Sequence, residues 1–158
     1  MRANRKSLNG RLVYLFTGEL SAILVFTFLF FSFSFNREES YSLFLAFFIL
    51  LFILLQASIY WFMKWQHLRT HPPFPAYFSN LLRWLKIINL LLLSLVPVTI
   101  FIELILEPSL TFGIFVVMIL IYGFAIIEYI NYFHIQLTNY KNGRWKKASI
   151  AKELSKVK

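Results

Sequence analysis

The sequence predicts an all-α integral membrane protein, an antiparallel four-helix bundle with both termini on the cytoplasmic side. Three observations predict it. Four apolar runs occur over residues 12–35, 41–63, 79–106 and 109–137, and about 20 apolar residues suffice for a helix to cross the hydrocarbon. The outer turns are short and the inner connection is a proline-containing loop, which suits an antiparallel bundle. Lys and Arg gather at alternate ends of the runs, and such a bias sets orientation in a membrane.

Composition agrees. Of 158 residues, 59% are hydrophobic and 15% charged, whereas a soluble domain carries about 25% charged residues. One membrane domain over residues 1–140 and a basic cytoplasmic tail over 141–158 account for the chain. Cys is absent and all seven acids are Glu, which excludes disulfides, thiol catalysis and Cys-type zinc sites. The net charge of +9 sits at helix ends and in the tail, facing anionic lipid headgroups. No nucleic-acid partner is expected.

The N-terminal segment carries Arg2, Arg5, Lys6 and Arg11 and leads into the first run. That run lacks the small-residue cleavage site of a signal peptide, so it is expected to remain as a helix. Gly18 and Ala22 within it form a small-xxx-small pair suited to close helix approach. Residues 36–40, NREES, make a polar turn. The second span closes with Tyr60, Trp61, Lys64 and Trp65, residue types of the headgroup zone. Pro72, Pro73 and Pro75 then break the helical pattern.

The third helix is expected to start near Ser79 as N-cap and to run to Leu106, with Arg83, Trp84 and Lys86 reaching the interface and Pro97 kinking its middle. Glu107 and Pro108 turn the chain into the fourth span. Beyond Tyr140, Asn142-Gly143 reads as a helix stop, and Ile150, Leu154 and Val157 form one apolar stripe. The tail is therefore expected to be a basic amphipathic helix on the membrane surface, against anionic headgroups. Every Lys and Arg except Arg37 falls at ends assigned to one side, which makes that side cytoplasmic. A composition rich in Phe, Ile, Leu, Lys and Asn points to an AT-rich bacterial source and to the plasma (inner) membrane.

Each span carries polar residues at a similar depth. Glu19, Gln56, Asn89 and Glu128 lie eight or nine residues from their cytoplasmic boundaries, or roughly 12–14 Å at about 1.5 Å per residue. A shared cluster is expected, joined near its cytoplasmic mouth by Asn131, Tyr132 and His134. Acids in hydrocarbon are costly and mark candidate sites, whereas Gln and Asn more often tie helix to helix. Glu103 and Glu107 mark the outer end of the third helix. His67 and His71, four apart, could join His134 on a divalent metal, although Pro72 disfavours helix at His71. No cofactor is otherwise suggested, and no P-loop, dinucleotide fingerprint, H-E-x-x-H or nucleophile elbow occurs.

Three functions are compatible with this pattern. The first is a non-enzymatic membrane protein acting by association, as assembly partner, regulator or effector subunit, with a protein partner or as a homo-oligomer. The second is an oligomeric ion or proton channel or transporter lined by the Glu, Asn and His cluster. The third is an intramembrane enzyme on lipid, with Glu128 as acid or base.

Overall fold

The computed structural model describes residues 2–32, 40–70, 77–106, 112–141 and 144–155. In chain order these form α1 (Arg2–Ser32), α2 (Tyr41–Thr70), α3 (Phe78–Leu106), α4 (Phe112–Phe133), β1 (Ile135–Lys141), β2 (Arg144–Lys147) and α5 (Ser149–Ser155). Segments of the first four helices, Leu8–Ser32, Tyr41–Thr70, Phe78–Leu106 and Phe112–Phe133, are long and apolar enough to cross a membrane. The protein is a helical, multi-pass membrane protein.

The described chain divides into two compact units, Met1–Phe35 with Leu54–Pro75 and Asn36–Ile53 with Ala76–Lys158. The first unit pairs α1 with the later part of α2. Phe16 packs edge-on against Phe62, with ring centroids 5.8 Å apart, and against Trp65 at 6.0 Å. The Ser58 hydroxyl donates to the Phe16 carbonyl at 3.4 Å. Beyond these contacts α2 runs to Thr70, seven residues past the expected end at 63, and stops just before Pro72. This extension carries Lys64 over the rings of Tyr60 and Trp61 and Arg69 over Trp65, cation–π pairs suited to a membrane interface. Gly18 is exposed, and a Cβ there would meet nothing within 4 Å. No close helix approach is made at the Gly18–Ala22 pair among the described residues.

In the second unit α3 and α4 lie side by side. Tyr129 donates to the Lys86 carbonyl at 3.4 Å and Tyr122 to the Leu93 carbonyl at 3.1 Å. Seven residues back along α4 correspond to seven forward along α3, so this pair runs in opposite senses. The second bond has a chemical reason. Pro97 sits inside α3 and has no N–H, so it cannot donate to the carbonyl four residues earlier, that of Leu93. In lipid such a carbonyl must find another donor within the protein, and Tyr122 supplies it.

The C-terminal part departs from the expected helix. α4 ends at Phe133, short of the expected 137, and residues 135–147 pair as an antiparallel hairpin in which Ile135 faces Lys147 and Lys141 faces Arg144. The Asn131 side chain accepts the Leu137 N–H at 3.1 Å, offering the backbone a local alternative to the next helical bond. The two residues between Lys141 and Arg144 are Asn142-Gly143, the strongest short signal for a two-residue hairpin. Among the described residues of the tail the helix is α5, which packs against α3 and α4 with Ile150 only 2% exposed.

Tyr122→Phe should destabilise the protein by about 1–3 kcal/mol, the cost of an unsatisfied buried carbonyl. In a Pro97→Ala background that cost should shrink, because an alanine N–H at this position restores the helical donor. Unfolding in mixed micelles measures both, and an equal cost in the two backgrounds would refute the pairing.

Candidate functional site

The expected polar layer is divided between the units. Glu19 and Gln56 belong to the first, and Asn89, Glu128, Asn131, Tyr132 and His134 to the second. Asn89 is fully buried, and none of Glu19, Gln56 and Asn89 lacks a partner. Two polar centres in the second unit are defined atom by atom, one at each end of α3.

The first is built on Glu103, which is 7% exposed near the end of α3. Its carboxylate accepts the Ser40 hydroxyl at 3.0 Å, the Ser42 N–H at 3.2 Å and the Tyr41 N–H. Ser40 in turn accepts the Leu43 N–H at 3.1 Å, the bond of an N-cap serine. The first N–H groups of any helix lack partners within it, and the N-terminal end of the helix dipole favours negative charge. Glu103 meets both needs for α2, and Ser40 and Ser42 are buried with it. Sequence reasoning assigned Glu103 only to the outer end of the third helix. The available signal was Ser40 in cap position immediately before an apolar run. Glu107 lies outside the described residues.

The second centre lies at the other end of α3, where α4 gives way to β1. Glu128, Asn131 and Tyr132 share one face because they are three and four residues apart. Tyr132 and Asn131 both hydrogen-bond the Glu128 carboxylate, Asn131 at 3.5 Å. The other end of the Asn131 amide holds the Leu137 N–H. A continuous chain of hydrogen bonds therefore runs from Glu128 inside the span to the backbone of the hairpin. Its chemistry suits positioning.

His134 follows α4 directly and is exposed, its ring 5.4 Å from that of Tyr129. Loss of part of its hydration and, less strongly, the charge of Lys86 hold its imidazole below the ordinary histidine range. His67 lies on α2 in the first unit, and His71 is outside the described residues. Among the described residues no group of three His, Cys, Asp or Glu side chains is placed to hold a metal ion.

Glu103→Leu should destabilise the protein by about 1–3 kcal/mol, since the N–H groups at the start of α2 lose their acceptor. Ser40→Ala should cost about 0.5–2 kcal/mol as a lost cap. Unfolding in mixed micelles reads both, and a Glu103→Leu protein as stable as wild type would exclude the role. For His134, the neutral ring is favoured by folding, so its contribution is complete above the ordinary histidine range and lost as pH falls through the lowered value. NMR of the imidazole should show this low midpoint, and Lys86→Met should raise it. A midpoint at or above that of free histidine would contradict the assignment.

Comparison of the chain with protein-family models, curated proteins and solved structures gives no match in any of the three.

Proposed function

We propose that this is a non-enzymatic protein of a bacterial plasma membrane that acts by association, as an assembly partner, regulator or effector subunit. In this reading the four spans form an antiparallel bundle with both termini cytoplasmic, supported by the one-sided distribution of Lys and Arg. The observation that carries it is the use made of the acids. Glu103 is occupied by the start of α2, and Glu128 by Asn131 and Tyr132. Glu103 so engaged ties α3 to the start of α2, and Glu128 is bonded within its own helix. On α1, Leu24, Val25, Phe28 and Phe31 are all more than half exposed, an apolar surface open to lipid or to another membrane helix.

A second reading, proton movement through an oligomer, draws on the Glu128 carboxyl group placed within α4.

Photo-crosslinking groups at Leu24 and Phe28 in native membranes should yield a protein adduct of defined mass. Adducts with lipid alone at both positions would overturn association. Deleting 143–158 is a less clean test, because it removes β2 and α5, which belong to the folded second unit. Glu128→Gln in liposomes separates the two readings. Under association neither wild type nor variant raises proton flux above that of protein-free vesicles, whereas a wild-type flux abolished in the variant would favour proton movement.

A further inference from the structure

The hairpin is held to the membrane end of α4 at both feet. β1 starts at Ile135, with only His134 between it and α4. β2 returns so that Lys147 pairs with Ile135, and the next N–H, that of Ala148, donates to the His134 carbonyl at 3.1 Å. Ala148 and Ile150 are then buried, at 1% and 2% exposure, where α5 packs against α3 and α4. A strand advances about 3.3 Å per residue, so a seven-residue arm reaches roughly 23 Å at most. A segment tethered in this way to the end of a spanning helix stays within reach of the headgroups.

Its exposed side chains are those that headgroups attract. Trp145 is 48% exposed, and Lys146, Lys147 and Lys152 are exposed. Residues 141–155 hold five basic residues against the single acid Glu153. The start of α3 reaches the same end, because Tyr129 holds the Lys86 carbonyl, and Arg83 and Trp84 are exposed there. Lys146 and Lys147 follow Trp145 directly in β2, and all three are exposed. An indole beside a lysine matches the interface, where the ring lies among headgroups and the ammonium meets phosphate.

We propose that the β1–β2 hairpin is an anionic-phospholipid-binding element, in which Lys147, with Lys152 of α5, holds headgroup phosphates of the bilayer the chain spans while Trp145 enters the interface. The inference requires α4 to span the bilayer but does not require association, and its test reads lipid contact rather than protein partners.

The full chain in phosphatidylcholine nanodiscs, doped with either brominated phosphatidylglycerol or brominated phosphatidylcholine, provides that test. The protein has four tryptophans, and the signal of Trp145 is obtained as the difference from Trp145→Phe. Quenching by the anionic lipid should exceed that by the zwitterionic lipid severalfold at low salt, and high salt should remove the excess. Lys147→Gln should lower the preference by about five-fold, the scale for one lysine at an anionic surface. Equal quenching by the two lipids in the unaltered protein, a comparison that needs no substitution, would overturn the proposal. Full preference in Lys147→Gln would overturn it as well.

Discussion

A backbone N–H or C=O inside hydrocarbon has no water to turn to, so each must find its partner within the protein. Regular helix satisfies most of them, and the exceptions are where a helix starts, where it contains proline and where it stops. This chain meets all three in its second unit, each with a side chain from elsewhere in the sequence or from the preceding turn. Glu103 covers the start of α2, Tyr122 covers the Leu93 carbonyl that Pro97 cannot reach, and Asn131 takes the Leu137 N–H beyond the end of α4. The arrangement of the unit depends on these three bonds more than on any single apolar contact, because apolar side chains pack about as well against lipid as against one another.

The same constraint explains why the intramembrane polar residues are poor evidence of chemistry. An acid at the end of a span resembles a catalytic or transport group when only its hydropathy is considered. The Glu103 oxygens take the free N–H groups at the start of α2, where the helix dipole favours an acid. Glu128 is engaged by neighbours one turn away in its own helix. For Glu103 the role in the fold is sufficient reason for the carboxyl group to be present. A catalytic or conducting role would have to be additional.

Charge is segregated by the same economy of hydration. Lys64 and Arg69 place their cations over Tyr60, Trp61 and Trp65 at the end of α2. The hairpin and α5 carry Lys141, Arg144, Lys146, Lys147 and Lys152 in a folded element that packs on α3 and α4.

The sequence by itself determined the membrane class and the number of helices long and apolar enough to span, because length and hydropathy suffice for these. It also singled out Glu103, Glu128, Asn131 and Pro97 as unusual, since polar and cyclic residues are conspicuous in apolar runs. It did not determine their partners. Ser40 and Glu103 are 63 residues apart, and Tyr122 and Leu93 are 29 apart, distances over which periodicity carries no information. The hairpin was half legible. Asn142-Gly143 is a turn signal for strands and a stop signal for helices, and a basic stripe with helical spacing favoured the second meaning. Only the tertiary structure decided between them, through the Asn131 bond that ends α4 and the burial of Ala148 and Ile150 against the helices. Local propensity there is nearly balanced, and such a balance is tipped by contacts that no short stretch of sequence contains.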